Sequence, residues 1–532
     1  MENTPEKEEE SMKELKFEEL TLKQKLGMVC TPLINGGKKE ERDDDFIIEK
    51  IKNRELGSVW IQIGYSDAEE MMRRVKEAAD YPILIFTDAE NGMGEYQVGR
   101  HNAVGATGSE AHAYAWGKAT AVTAREQGYN VVCNPVVDLS NAGNQRSLGN
   151  DLNKVVPIAK AIARGMHDGG VLTVGKHYVA GNNPKKIDTH MGQAISTNTE
   201  EELLSYQLIP YIELNKAGLL DGIMAGHKKF VNIDPEHPTS LSPKMMGLIR
   251  EQGFDGFSIT DGMCMMGIRA NYDDVTAKGL AINAGNMLLP FDVKNKKIFK
   301  ELEEAYEKGL IDNDRLDEAV KRVLAAQKKA MELPKDNELT QEEINLVKSI
   351  PKDGIYVRKD EGLLDSIPKD GNYLFVILSS MELDIDGEGK PIVDTFSRGW
   401  HYPDRMSAKV KELFPNAAVK IINQFPTPGQ NSKVLSESIG KEVIVVTFHQ
   451  EQAYVGPPHL TRRVIALVNA LQLTNRVSTV IHFGNPFVLE ELPHIPRYIL
   501  GGVSEASTYT CFEVLAGEYP AKGVSTYDVN FK

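Results

Sequence analysis

A (β/α)8 barrel followed by a smaller α/β sandwich is the architecture this sequence predicts. Three observations carry that expectation. Eight short apolar runs recur between residues 26 and 290, continuous rather than alternating, as strands buried on both faces require. Helix-like stretches separate them, and about 265 residues is the usual size of such a barrel. A polar, charged segment over 334–371 then precedes a second, shorter series of apolar runs.

In chain order the barrel strands are read at 26–32, 56–63, 82–87, 130–134, 171–176, 222–224, 256–260 and 287–289. Residues 66–79 and 110–127 are the clearest helices between them. Residues 294–333 are helical by their three- and four-residue apolar spacing. The segment 334–371 reads as an interdomain linker. It holds Ser349-Ile350-Pro351-Lys352-Asp353-Gly354 and the same six residues again at 366–371, a turn signature used twice. Beyond it, runs at 373–379, 419–422, 442–448, 478–483 and 498–500 alternate with helices, of which 461–473 is the clearest. That is the pattern of a mostly parallel sheet. The expected organisation is a barrel catalytic domain over 1–333, the linker, and a sandwich domain over 372–532.

The chain has 532 residues, with 61 Lys+Arg against 76 Asp+Glu and a formal net charge of −15. Apolar residues at 41% and charged residues at 26% are globular proportions, which excludes wholesale disorder. The acidic balance makes nucleic acid an unexpected partner. No apolar run approaches the ~18 residues of a membrane span. The first ten residues lack the apolar core of a secretory signal, so a cytoplasmic location is expected, or secretion if a signal peptide has been removed. Cys30, Cys133, Cys264 and Cys511 have no paired spacing, which points to neither a disulfide framework nor a zinc knuckle. No metal or organic cofactor is expected, and the sequence leaves the oligomeric state open.

In a parallel barrel the catalytic groups project from the carboxyl ends of the strands. Those ends deliver Asp88, then Asn134 and Asp138, then Lys176 and His177 with Asp188 and His190 just beyond. His227 and Asp261 follow at the next two. Taken singly, a strand-end Asp caps a helix or forms a turn, as Asp261-Gly262 would. A lone His is ordinarily a hydrogen-bonded structural residue. Five strand ends of one barrel supplying charged or imidazole groups define a polar cleft. A carboxylate at a strand tip with an acid on a nearby loop suits glycosidic bond cleavage. Asp188, two residues from His190, can orient the imidazole and stabilise its protonated form. Asp88, Arg146, Lys176 and His177 would hold a polyhydroxylated ring. A metal-dependent hydrolase is disfavoured because the first strand reads Gly27-Met28-Val29-Cys30-Thr31-Pro32, with no His-x-His pair. No phosphate-cradling loop is present.

Together these segments resemble glycoside hydrolase family 3 over nearly the whole chain. Lys176-His177-Tyr178 followed by Asp188-Thr189-His190 resembles the Lys-His-Phe…Asp-Ser-His signature of its β-N-acetylglucosaminidase branch. The run from Ser258-Ile259-Thr260-Asp261-Gly262 to Gly267 is similar to its nucleophile segment, and Thr87-Asp88-Ala89-Glu90-Asn91-Gly92 to its sugar-binding Asp-x-Glu-x-Gly stretch. Arg146-Ser147-Leu148-Gly149-Asn150-Asp151 resembles Arg-Ser-Phe-Gly-x-Asp, Met224-Ala225-Gly226-His227 the next strand's motif, and residues 515–523 the tail of the second domain. The resemblance implies Asp261 as nucleophile and His190, held by Asp188, as general acid and then base. Asp88, Arg146, Lys176, His177 and His227 would bind the sugar.

Three departures stand out. Met93-Gly94-Glu95-Tyr96-Gln97 lacks the branch's substrate-holding Arg. Gly262 replaces a second Asp. The loop Tyr178-Val179-Ala180-Gly181-Asn182-Asn183 is closer to the β-glucosidase branch, whose acid is a second-domain Glu. The leading expectation is therefore a retaining, exo-acting β-N-acetylglucosaminidase acting on peptidoglycan or chitin fragments. β-Glucosidase or β-xylosidase activity, with Glu451 as a candidate acid, is the runner-up. A β-N-acetylglucosaminide phosphorylase and a non-catalytic glycan-binding protein are the other readings.

Overall fold

A computed structural model of the chain describes residues 12–36, 39–139, 146–334, 338–379, 401–449 and 459–532, with the short strands 383–385 and 391–393. It divides into two compact units. The first comprises residues 1–89, 120–135 and 163–338; the second comprises 90–119, 136–162 and 339–532.

The first unit is built on six parallel strands: β1 (Ser58–Trp60), β2 (Leu84–Thr87), β3 (Val131–Val132), β4 (Leu172–Tyr178), β5 (Gly222–Ala225) and β6 (Phe257–Thr260), hydrogen-bonded in that order. Isolated parallel bridges complete the ring. Ile259 pairs with Met287, Cys30 with Leu288, and Leu33 with Trp60, so the segments around 30–33 and 287–288 occupy the two remaining positions of an eight-membered barrel. The interior is filled by residues that alternate inward along the strands, among them Leu84, Phe86, Leu172, Val174, Phe257 and Ile259. Trp60 stacks on Phe86, and Phe257 meets Phe86 edge-on with ring centroids 5.8 Å apart. This is a packed core, not a channel.

One expected strand is corrected. Residues 26–32 do not form a continuous strand, because Leu22–Met28 is a helix opened by a capping box from Thr21 and Gln24. Only the Cys30–Leu33 stretch joins the barrel. The apolar run reads as one element, whereas its first half is the buried face of that helix. The helical expectation over 294–333 resolves into two helices, Asn295–Glu307 and Asn313–Glu332, the second capped by Asp312.

The second unit carries β7 (Tyr356–Lys359), β8 (Tyr373–Ser379), β9 (Ala418–Asn423), β10 (Glu442–His449), β11 (Val477–Gly484) and β12 (Arg497–Gly501). Their order in the sheet is β9-β8-β10-β11-β12-β7, parallel except for β7. β8, β10 and β11 are buried through nearly their whole length, and Val376, Ile377, Ile444, Val446, Val480 and Ile481 form the centre of its core. Each such side chain contributes on the order of 1.5–3 kcal/mol when fully removed from water. The segment read as a linker holds the helix Gln341–Asp353 as well as β7. Its two identical hexapeptides differ in structure. The first forms the last turns of that helix, which Thr340 initiates with a capping box, while the second is an extended stretch ending in a turn. Local context decided between them.

Candidate active site

Asp88 follows β2, and its Oδ1 receives a hydrogen bond of 2.5 Å from Nζ of Lys176, whose side chain is only 1% exposed. Lys176 reaches it from β4, where the register with β5 slips. Lys176 faces Met224 and Tyr178 faces Ala225, which leaves His177 as an extra residue between them. Bulges of this kind re-aim side chains at barrel rims. Lys176 thus continues the inward parity of Leu172 and Val174. Tyr178 turns outward, meeting Tyr211 edge-on and donating to the Met245 carbonyl.

Past β4 the chain makes a loop that carries Asp188 and His190. Asp188 Oδ1 lies 2.7 Å from His190 Nδ1 and also accepts the His190 backbone N–H at 2.9 Å. One carboxylate oxygen therefore fixes both ends of the His residue. With Nδ1–H donating to Asp188, the ring presents Nε2 for proton transfer. Asn182 and Asn183, the pair that looked like the β-glucosidase branch, are used in building this loop. Asn182 bonds Ser196, Thr197 and the Asn198 amide oxygen, and Asn183 closes a turn through both the N–H and the C=O of Ile187.

The loop is fastened to the segment after β6. Gly267 N–H donates to the Thr189 carbonyl at 2.8 Å and Met266 N–H to the His190 carbonyl at 3.3 Å. The approach depends on Gly267, where an added Cβ would lie 3.1 Å from both His227 Cβ and the Thr189 carbonyl oxygen. That segment begins with Asp261. Its N–H donates to Ala225 at 2.8 Å, and its Oδ1 accepts the next N–H, that of Gly262, at 2.7 Å.

His227 is fully buried between these parts. Its Nε2 lies 3.0 Å from the Gly262 carbonyl and its Nδ1 2.8 Å from Ser240 Oγ. A carbonyl can only accept, so Nε2 carries the hydrogen and Nδ1 accepts from the Ser240 hydroxyl. Ser240 is held in turn by Asn286 Nδ2, which donates to its carbonyl at 2.8 Å. Burial lowers the pKa of His227 against the opposing pull of the Asp261 carboxylate, and the charges of His190 and His177 lower it further. Asp261, His190 and His177 thus each lie within electrostatic reach of His227, and burial favours its neutral form.

Arg146 belongs to the second unit. There its guanidinium forms a bidentate pair with Glu90, at 2.8 and 2.6 Å. The first unit accordingly brings together Asp88 with Lys176, Asp188 with His190, and His227 with Asp261, and Arg146 is not among them. Glu90, Ser240 and Gly267 support these groups although the strand-end pattern of the sequence does not single them out. For Glu90 the signal was present, as the second acidic residue of Asp88-Ala89-Glu90. Nothing in Pro238-Thr239-Ser240-Leu241 announces Ser240. Asn134, buried after β3, donates to the Ala89 carbonyl at 2.8 Å. Among the described residues no group of three or more His, Cys, Asp or Glu side chains is placed to hold a metal ion. No helix among them is long and apolar enough to cross a membrane. Gln450 and Glu451 lie outside the described residues.

A barrel with charged and imidazole groups gathered where its strands end has the layout of a barrel enzyme. Residues 14–326 match the family model for the glycosyl hydrolase family 3 N-terminal domain. The chain belongs to glycosyl hydrolase family 3 and is a glycoside hydrolase. A curated beta-hexosaminidase of Tolumonas auensis is 28% identical over 244 residues, which are 42% of this chain and 71% of that protein. The solved structure of a glycoside hydrolase family 3 beta-N-acetylglucosaminidase from Paenibacillus sp. str. FPU-7 aligns with TM-score 0.75 and 24% identity. The alignment covers 96% of this chain and 100% of that one. A beta-glucoside phosphorylase structure also aligns at TM-score 0.75, with 23% identity over 96% of this chain and 95% of the other. These likenesses show the shared two-domain fold.

Proposed function

We propose that the chain is a retaining, exo-acting β-N-acetylglucosaminidase that removes terminal GlcNAc from glycans such as peptidoglycan or chitin fragments. The observation that carries this reading is the Asp188–His190 pair, on a loop whose backbone is bonded to the segment that begins with Asp261. The curated relative named a beta-hexosaminidase supports it, as does the fold shared with a beta-N-acetylglucosaminidase.

In the first step the Asp261 carboxylate attacks the anomeric carbon as the glycosidic C–O bond breaks. Nε2–H of protonated His190 delivers its proton to the departing oxygen, which leaves as an alcohol. Asp188 accepts the Nδ1–H of His190 throughout and keeps the ring in its productive orientation. In the second step water gives a proton to His190 Nε2 while its oxygen attacks the same carbon, and Asp261 is released. Two inversions give net retention. Asp88, charge-paired with Lys176, is assigned to accept sugar hydroxyls, with Lys176 and His177 donating. Arg146 is assigned to the sugar by its motif. His227, with both ring nitrogens engaged inside the protein, is assigned to holding the Gly262 backbone rather than the sugar.

A second reading, phosphorolysis, is favoured by one feature. An imidazole is uncharged after it has given up its proton and does not repel an incoming phosphate as a carboxylate base would. The fold shared with a beta-glucoside phosphorylase is compatible with it. Release of 4-nitrophenol from the β-N-acetylglucosaminide and the β-glucoside, in phosphate-free buffer and again with phosphate, separates the readings. Preference for the acetamido sugar without phosphate is the expected result. A large phosphate-dependent rise would make the enzyme a phosphorylase, and preference for the glucoside would overturn the proposal.

A further inference from the structure

Residues 523–528, near the end of the chain, have no regular secondary structure, yet their hydrogen bonds converge on one short segment of the same unit. The Thr526 carbonyl accepts the Asn150 N–H at 2.9 Å. Asp528 N–H donates to Asn150 Oδ1 at 2.9 Å, so Asn150 is held from both sides. Tyr527 OH donates to the Ser147 carbonyl at 3.0 Å, and Lys154 Nζ to the Ser525 carbonyl at 2.7 Å. The approach is tight: a Cβ on Gly149 would lie 2.4 Å from the Thr526 carbonyl oxygen, and Gly149 has φ +148°, a region that favours glycine. Ser147, Leu148, Thr526 and Tyr527 are all buried. The tail is itself anchored at its start, Gly523 N–H on the Ile355 carbonyl and Val524 N–H on that of Ala106, both at 2.8 Å.

The segment so held is Ser147–Asn150, which immediately follows Arg146. We infer that residues 523–528 are a positioning strap for Arg146, so that the C-terminal tail takes part in sugar binding without touching the sugar. Arg146 is constrained through its side chain by Glu90 and through its backbone by Ser147, and Ser147 is fixed by Tyr527. A guanidinium must be aimed, because its donors lie in one plane, and an error of about 1 Å at such a group weakens bidentate recognition. The inference rests on the assignment of Arg146 to the sugar.

The test uses the full chain and 4-nitrophenyl β-N-acetylglucosaminide, measuring kcat and KM for Tyr527→Phe, Gly149→Ala, Arg146→Ala and the two double variants with Arg146→Ala. Tyr527→Phe keeps the ring, which meets Phe487 edge-on, and removes one hydroxyl. Expected are a KM raised about fivefold by Tyr527→Phe and more by Gly149→Ala, with smaller changes in kcat. Asn530→Ala, further along the same tail, leaves KM unchanged. Each strap substitution should add nothing once Arg146 is Ala, since coupled groups are non-additive. Strap effects that multiply with that of Arg146→Ala, or an unchanged KM in Tyr527→Phe, would overturn the strap. An unchanged KM in Arg146→Ala would instead remove Arg146 from the sugar, and the strap's role with it.

Discussion

Asp261 is held by backbone on both sides, its amide on Ala225 and its carboxylate on the amide of Gly262, whose carbonyl receives Nε2–H of His227. In the proposed role of nucleophile, a carboxylate so fixed needs little reorganisation. If Asp261 is the nucleophile as proposed, Asp261→Asn should lower kcat by at least about a thousandfold without unfolding the chain, and a near-wild-type kcat would remove it from that role. His190→Ala should cost about 10²–10⁴ in kcat on a poor leaving group. The loss should be much smaller on an aryl leaving group that departs without protonation, and equal losses on both would remove His190 from the role of acid. His227→Ala strips a donor from the Gly262 carbonyl and leaves the Ser240 hydroxyl without its acceptor. It should lower kcat by about tenfold or more while KM changes little, and a rise in KM alone would make His227 a sugar ligand after all.

Among the elements, the loop bearing Asp188 and His190 depends on a single small residue of its neighbour. Gly267→Ala should push that loop outward and lower kcat by about tenfold with little change in melting temperature. A wild-type kcat would show that the loop's backbone bonds are incidental. At the other end of the strands, Asp221 sits just before β5. It accepts from His167 Nε2 at 2.7 Å, from Thr173 N–H at 2.7 Å and from Lys329. Burial pushes its carboxyl up, but the His167 and Lys329 bonds outweigh that, so it lies below the ordinary carboxylate range. The stability it provides is present above that range and lost as pH falls through the folded value. Asp221→Asn should cost about 3 kcal/mol at neutral pH, read from denaturant midpoints, as breaking a buried pair does.

Continuous apolar runs located β8 to its exact limits and most barrel strands to within a residue or two, because burial on both faces leaves a strong local signature. The helix Leu22–Met28 was missed, since a short amphipathic turn and a buried strand share that signature. Strand β7 was missed because none of its residues is fully buried. At the site, groups that carry charge were visible at their strand ends, whereas Ser240 and Gly267 act through one hydroxyl and one absent side chain and left no pattern to read.

For the molecule as a whole, the distribution of neutral histidines sets a response to acid. In the second unit His449 has its pKa lowered to about 4, by burial and by the charge of His459. His482, between Thr447 and the Asn485 carbonyl, is lowered to about 3, chiefly by burial. His227 is shifted in the same direction in the first unit. The unfolded chain binds protons at these positions below about pH 6.5, whereas the folded chain binds them only at lower pH. Stability therefore declines as pH falls from about 6.5 toward 4, by on the order of 3 kcal/mol for a group such as His449. Melting temperatures between pH 7.5 and 4.5 should show this fall, and His482→Gln should flatten it while lowering the value at pH 7.5. An unchanged slope in that variant would mean that other groups govern acid unfolding.

The extra residue in β4 sets which face each later side chain of the strand presents. Side chains along a strand point alternately inward and outward, so position there is a matter of phase as well as place. His177 shifts the phase by one step, which lets Lys176 face the interior and Tyr178 the surrounding helices, although the two are separated by an even count. A substitution at 177 leaves the phase intact. Deletion of that one residue would restore strict alternation with Lys176 inward and Tyr178 outward, so the Tyr178 ring would still face Tyr211 and the Met245 carbonyl. A strand shortened at 177 should therefore fold while losing the group that His177 presents, and an alignment with an unbulged strand keeps like faces together only if it opens a gap at 177.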